Sequence, residues 1–337
     1  MLFAFLTILL SGCNSGKSID TGQEQGQQET QPKFEYICPL DGLVRTFDNS
    51  SDLEKFIERR PLIVTIENHP AARPQFGLEQ ACLVYEFLAE GNITRFLAVY
   101  LHQEPDKIGP IRSARPYFLD KAMELDAIYA HCGQSPQAEL EIPKFKIRSI
   151  NEIGGAGIYF WRDNTKRAPH NLYSSVEKLR QYAEKKGWEK KTEPKGFNFA
   201  PDVQINDNTI NKVIIDYPGS YEVTYNYDPE TGVFLRNMEG KPHLAGESNR
   251  QLTAQNIAVL YANKTRVIDN EGRLEIDLLG EGKAVFFIGN QMVEGKWKKD
   301  SRSTPTYFYD QDGKEITFKT GQTWIQVVSS TTKLIAE

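Results

Sequence analysis

The sequence has no surplus of positive charge: 40 Lys and Arg stand against 45 Asp and Glu, a net charge of -5. That balance excludes a nucleic-acid binder recognised through bulk charge. Several catalytic signatures are also missing. There is no Walker loop, no H-E-x-x-H, no G-x-S-x-G elbow and no G-x-G-x-x-G, since Gly154-Gly155-Ala156-Gly157 lacks that spacing. Asp269-Asn270-Glu271-Gly272 and the run from Asp310 to Gly313 are acidic, but neither continues as a calcium loop, so both read as turns.

Long apolar runs are short supply too. Residues 1–10 are almost purely apolar, yet a bilayer crossing needs about 20 residues, so this reads as the core of a secretory signal. It leads into Leu10-Ser11-Gly12-Cys13, which has the pattern of a bacterial lipobox, with lipid on the Cys13 thiol. The charged start of such a signal is missing, because no Lys or Arg precedes Lys17. The following stretch to Lys33 has one aliphatic residue, Ile19, and cannot bury enough apolar surface to offset its ordering entropy. It reads as a tether that holds a domain off the membrane surface, outside the cytoplasm.

Cysteine is scarce, four in the whole chain. With Cys13 lipidated, Cys38, Cys82 and Cys132 remain, an odd number without metal-type or redox-type spacing. At least one thiol is therefore free, and neither a metal nor a cofactor is expected. Cys82 lies in Ala81-Cys82-Leu83-Val84 and reads as a small buried hydrophobe. Cys132 adjoins His131, but neighbours on an extended strand point to opposite faces, which weighs against a nucleophile-base pair.

What is present describes a folded protein. The chain carries 18 Phe, 15 Tyr and 4 Trp, and its 337 residues suggest two domains. The first half mixes helices and strands. Ser51 with Glu54, and Ser174 with Glu177, read as capping boxes opening helices; 116–125 has helical spacing, and 62–66 and 127–130 read as strands. The runs 82–89 and 93–101 form a hairpin across a two-residue Gly91-Asn92 turn. That register sets Glu86 and Arg95 on one apolar face, within reach of a buried ion pair. Residues 187–201 are charged and Pro-punctuated, a linker in character. Beyond them come short strands at 213–217, 221–227, 232–236, 284–288, 293–297, 306–309 and 323–328, separated by turn signals.

The candidate chemistry lies in the first half. Between Pro61 and Tyr173 Arg outnumbers Lys seven to five, whereas the rest has nine Arg to nineteen Lys. Arg73, Arg112, Arg115, Arg162 and Arg167 all fall in expected loops or at element ends, where forked donors suit carboxylate or phosphate. Arg112-Ser113-Ala114-Arg115 also stands at an expected helix start, whose free N–H groups attract anions. His69 and His131 each follow an expected strand, and ligands of open α/β sheets gather beyond strand carboxyl ends. His170 sits in the polar loop Arg167-Ala168-Pro169-His170-Asn171. The three histidines are candidate acids or bases; Arg73, Arg112, Ser113, Arg115, Arg162, Arg167 and Asn171 are candidate ligand contacts.

Several segments carry a resemblance. They are Pro39-Leu40-Asp41-Gly42-Leu43, the run from Glu67 to Gln75, Gly91-Asn92-Ile93-Thr94-Arg95-Phe96, Gly109-Pro110-Ile111-Arg112-Ser113-Ala114-Arg115 and the His170 loop. Later come Tyr227-Asp228-Pro229-Glu230-Thr231-Gly232, Trp297-Lys298-Lys299-Asp300-Ser301 and Gly321-Gln322-Thr323-Trp324-Ile325. In these the chain resembles the YerB-like lipoproteins of Gram-positive bacteria, a two-domain family of unknown function. The resemblance implies a membrane-anchored extracytoplasmic protein and supplies no catalytic residues. Gln134 departs from it, standing where a second glycine is expected.

The expected organisation is thus a signal peptide at 1–12, a lipidated tether at 13–36, an α+β or α/β domain at 37–190 and a mainly-β domain at 191–337. The expected function is a membrane-anchored protein whose N-terminal domain binds an anionic envelope ligand, such as a cell-wall polymer phosphate, a glycan carboxylate or a nucleotide, through its Arg and His loops. The alternatives are an envelope hydrolase or transferase using the same cleft, and a non-catalytic scaffold for protein partners that offers strand edges.

Overall fold

The computed structural model describes residues 33–189, 194–203, 209–219 and 221–337. Cys13, the signal segment and all but the last residues of the expected tether lie outside these. The tether's expected end at residue 36 falls inside a strand, β1 (Phe34–Ile37), which pairs with β2 (Val44–Phe47) as an antiparallel hairpin. Among the described residues no helix is long and apolar enough to cross a membrane.

Helix α1 (Ser50–Ile57) is capped by Asn49, whose side chain accepts from the Asp52 N–H; the expected Ser51 cap lies one residue inside the helix. Strand β3 (Leu62–Glu67) follows, then β4 (Leu83–Leu88) and β5 (Thr94–Tyr100). Helix α2 (Pro116–Glu124) starts on Pro116, which has no N–H to leave unsatisfied, and buries Tyr117, Phe118, Leu119 and Ala122. Strand β6 (Ile128–His131), helix α3 (Pro136–Lys144) and strand β7 (Arg148–Asn151) come next. Helix α4 (Val176–Lys185) is capped by Ser175 rather than Ser174 and turns Val176, Leu179 and Ala183 inward.

In the second half, β8 (Lys212–Asp216), β9 (Glu222–Asp228) and β10 (Val233–Met238) form an antiparallel meander. Strands β11 (Asn256–Tyr261), β12 (Gly280–Ile288), β13 (Gln291–Lys299), β14 (Tyr307–Asp310), β15 (Thr323–Val328) and β16 (Lys333–Ala336) follow, with shorter strands between them, and β16 closes the meander beside β8. The protein has two domains and is mostly β.

A ten-stranded sheet, in the order β14-β13-β12-β11-β15-β4-β5-β3-β6-β7, runs through both halves. The junction is β15, which pairs parallel with both β11 and β4. Strands β3, β4 and β15 are buried along their whole length. Their near-continuous apolar sequences fit strands covered on both faces.

The hairpin register differs from the expected one. Ala89 donates to the Ile93 carbonyl, so the loop is Glu90-Gly91-Asn92, three residues rather than two. Glu86 then faces Phe96 and Phe87 faces Arg95. One extra loop residue slips the pairing by one and sends Glu86 and Arg95 to opposite faces. The expected Glu86–Arg95 pair does not exist: Arg95 pairs with Glu90 at 2.9 Å, and Glu86 with Arg236 at 2.7 Å.

Candidate functional site

Strands β3, β6 and β7 run parallel, so their carboxyl ends share one edge of the sheet. The chain from Gly109 to Ala114 is laid across that edge. The Arg112 N–H donates to the Thr65 carbonyl at 3.0 Å, and the Arg112 carbonyl accepts from the Cys132 N–H at 3.0 Å. Arg112 is thereby set beside Glu67, the last residue of β3, and its Nη2 lies 2.6 Å from Glu67 Oε1. The other Glu67 oxygen is 3.0 Å from His170 Nδ1.

His170 is delivered by the loop between two short paired strands, Trp161–Arg162 and Leu172–Tyr173. Its ring stacks on His69, with centroids 4.5 Å apart and planes 17° from parallel. His69 Nδ1 accepts from the Ala71 N–H at 3.1 Å, which places the neutral ring's proton on Nε2. Burial first, then His170 and the guanidinium groups of Arg112 and Arg73, lower the His69 pKa below its usual value.

The same segment supplies cations that no carboxylate among the described residues holds. Lys166 Nζ donates to the carbonyls of Ala72 and Pro74, at 2.6 and 2.8 Å, and burial and Lys107 bring it down to about 8. Arg162 Nη1 donates to the Asn171 side-chain oxygen at 3.0 Å, while the buried Asn171 amide donates to the carbonyls of Asp163 and Lys166. Arg167 is exposed. Arg112 Nε is buried without a hydrogen-bond partner. Arg73 bonds Asn68 through Nε and Glu239 through Nη1 at 3.0 Å. It also borders a 420 Å³ groove lined in part by Pro70, Pro74, Met238, His243 and Leu244.

The structure separates other expected members from this group. Arg115 is buried and bonds Glu90, the carboxylate that Arg95 also uses, so it fastens the start of α2 to the hairpin loop. Ser113 contributes its carbonyl, 3.5 Å from Arg95 Nη1. His131 lies inside β6 with no exposure, its Nδ1 2.8 Å from the Gly133 carbonyl and its Nε2 2.7 Å from Ser149 Oγ. Burial lowers its pKa to about 4, leaving a neutral structural ring. Cys132 does stand near Arg162 and Arg112, with Sγ 3.3 Å from Glu152 Oε2. Burial and that carboxylate push the thiol up to about 11.

Reading the sequence missed Glu67, Lys166 and Glu152. Glu67 had a signal, a single carboxylate closing an otherwise apolar strand, and Lys166 sits in the loop already singled out for His170. Behind them runs a buried polar chain. Gln75 Nε2 donates to the Glu67 carbonyl and to Asn68 Oδ1, both at 3.0 Å; His243 Nε2 meets Gln75 Oε1 at 2.8 Å; and Arg236 Nε donates to His243 Nδ1 at 3.0 Å. The second domain thus reaches the end of β3.

Two family models match the chain. "Protein of unknown function (DUF3048) N-terminal domain" covers residues 49–189, and the C-terminal domain of the same family covers 213–325. The chain belongs to the DUF3048 family. Among DUF3048 relatives it is 37% identical to "Putative lipoprotein YerB" of Bacillus subtilis (strain 168) over 329 residues, 96% of this chain and 92% of that protein. The crystal structure of YerB from Bacillus subtilis superposes with a TM-score of 0.79 at 34% identity, covering 89% of this chain and 99% of that one. The resemblance to YerB-like proteins read from the sequence is therefore upheld.

Proposed function

We propose that the protein is held by lipid on Cys13 at the outer face of the cell membrane, and that its N-terminal domain, an α/β unit, binds an anionic envelope ligand in this cleft. The relative's designation as a lipoprotein supports the anchor. The observation that carries the ligand reading is the partnering of the loop cations. Lys166 rests on carbonyl oxygens and Arg162 on a carboxamide, so their charges are oriented but not neutralised. Arg162 is exposed and Lys166 half-buried, and a charge drawn out of water normally has a countercharge, so Lys166 is the main support. Lys166 lies within electrostatic reach of Glu67, on which His170 and Arg112 also converge, and Arg162 lies with Arg112 near Cys132; Arg112 Nε is unsatisfied.

Arg73, Arg112, Arg162, Arg167, Asn171, His69 and His170 therefore form the ligand site, with Lys166 added. Arg115, Ser113 and His131 support it from behind. A phosphate or carboxylate would complete the set, with the adjoining groove taking the less polar body of the ligand. Calorimetric titration of the full chain with glycerol-phosphate oligomers and with uronate oligomers tests this and distinguishes the two anions. Charge-assisted hydrogen bonds are worth about 1.5–3 kcal/mol each. Arg162→Ala and Lys166→Ala should therefore each weaken binding by at least about tenfold. Equal affinity of wild type and the double variant across a range of salt would overturn the reading.

A further inference from the structure

Away from the cleft, Cys38, Asp41 and Cys82 are buried together, and one ligand atom from each lies within 4.8 Å of the others. We infer that these three residues, completed by the Gln103 side-chain oxygen, bind a soft divalent cation of the zinc type that pins the root of the N-terminal segment to the core. The inference is independent of the anion cleft.

Local backbone geometry explains how positions 38 and 41 face the same way. The Gly42 N–H donates to the Cys38 carbonyl at 2.8 Å and the Cys38 N–H to the Leu43 carbonyl at 3.0 Å, curling the chain into a tight turn. Gly42 has φ +69°, and a Cβ there would stand 2.5 Å from Phe199 Cβ, so the turn requires glycine. Cys82 enters from the segment leading into β4, its N–H on the Val99 carbonyl at 2.9 Å. Gln103, just past β5, faces both sides of the cluster: its oxygen is 2.7 Å from Cys82 Sγ and its nitrogen donates to Asp41 Oδ2 at 2.8 Å.

The charge balance argues for a cation. Asp41 is 1% exposed, and among the described residues no Lys, Arg or His pairs with it. Among the described residues its carboxylate receives only the Leu43 N–H, at 3.0 Å, and the Gln103 amide. A buried carboxylate in that state needs a countercharge. Zinc at its usual bond lengths would hold two thiolate sulfurs about 3.8 Å apart in tetrahedral geometry, a spacing this cluster already accommodates. Binding is not a redox step: each thiol loses a proton to solvent and each sulfur gains a bond to the metal. A Cys38–Cys82 disulfide would instead leave the Asp41 charge buried and unmatched.

The place of the cluster gives it a role. Strands β1 and β2 bury little: Phe34, Ile37 and Val44 are all exposed. The hairpin rests on Tyr36 and Phe47 packed against Phe56 and on the buried Leu40 between its strands, and it is the first described element after the proposed tether. A metal joining Cys38 and Asp41 to Cys82 would carry load from the tether straight into the central sheet.

Cobalt(II) added to the full chain under reductant and without oxygen tests the site. One equivalent should produce thiolate-to-metal charge-transfer absorption and the visible bands of tetrahedral cobalt, both removed by zinc. Cys38→Ser and Cys82→Ser should each lose much of the charge-transfer intensity. Asp41→Asn, nearly the same shape, should keep native tryptophan emission while affinity falls at least about tenfold. No stoichiometric cobalt band from folded, reduced protein would overturn the site, as would a band surviving the double serine variant. Peptide mapping of protein from membranes that finds Cys38 and Cys82 cross-linked would overturn it as well.

Discussion

Glu86 on β4 and Arg236 on β10 form an ion pair, Oε2 to Nη2 at 2.7 Å, with neither side chain exposed to solvent. They come from different domains, and each is otherwise satisfied. Glu86 Oε1 accepts from Thr94 Oγ1 at 2.6 Å, and Arg236 bonds Tyr225 and His243 and stacks over Trp324. Breaking such a pair leaves an uncompensated buried charge, at about 3–5 kcal/mol, whereas removing both charges is much less costly. Glu86→Gln and Arg236→Met should each lose that much stability in urea unfolding. The double variant should lose clearly less than the sum; strict additivity would show that the pair is not coupled.

A second buried cluster joins the domains and makes stability depend on pH. Glu124 on α2 lies 2.8 Å from Lys121 Nζ and 2.9 Å from Lys299 Nζ of β13, and accepts from the Thr306 N–H at 2.7 Å. Burial alone would raise its pKa, but the two lysines outweigh it and hold the carboxyl at about 2, against an ordinary 4.5. With the folded value depressed, the contribution is complete above 4.5 and is lost as pH falls toward 2. At 1.36 kcal/mol per unit it is of order 3 kcal/mol. Unfolding curves across that window should show the loss in wild type and not in Glu124→Gln. Parallel profiles for the two proteins would contradict the assignment.

How far the sequence could be read depended on how local each signal was. Apolar runs such as Leu62–Glu67 and Thr323–Val328 announce buried strands without any partner in view. Helix α3 was missed because Pro143 sits inside it and breaks the expected pattern, although Ser135 and Pro136 mark its start. The Glu86–Arg95 pairing failed on a single loop residue, since hairpin faces alternate with period two. That β15 inserts beside β4 is a contact across some 240 residues, and no local pattern encodes it. The cleft was half legible: arginine and histidine in loops pointed to it, but only the fold parts His170, on Glu67, from His131, sealed inside β6.

The anchor is testable apart from the fold. Cys13 is the proposed attachment point, so Cys13→Ala should move the protein from the membrane pellet to the soluble fraction. Sedimentation of the variant with membranes after a salt wash would refute lipid attachment there.

Ligand binding should strengthen in acid. His69 has its pKa lowered by burial, by His170 and by Arg112 and Arg73, so at neutral pH the ring is uncharged. A bound anion favours the imidazolium, and affinity for glycerol-phosphate oligomers should rise by about tenfold as pH drops through and below 6.5, the size of one weak charge-assisted bond. His69→Asn should flatten that rise, with affinity falling more in acid than at neutral pH. A pH-independent affinity in wild type would remove His69 from the site.

Cys132 separates the binding reading from one form of catalysis. A cysteine nucleophile works as the thiolate and needs a depressed pKa, usually beside cations. Here Arg162 and Arg112 do lie close enough to favour the thiolate, but burial and the Glu152 carboxylate prevail and raise the thiol to about 11 from 9.0. Two units leave about a hundredth of the ordinary thiolate fraction near neutral pH. Alkylation of Cys132 by iodoacetamide in the folded protein should therefore be about a hundredfold slower than that of a free thiol. Glu152→Gln removes the opposing charge and should speed it severalfold. Rapid alkylation of wild-type Cys132 at neutral pH would mean that the arginines win, and would move this residue into the chemistry of the cleft.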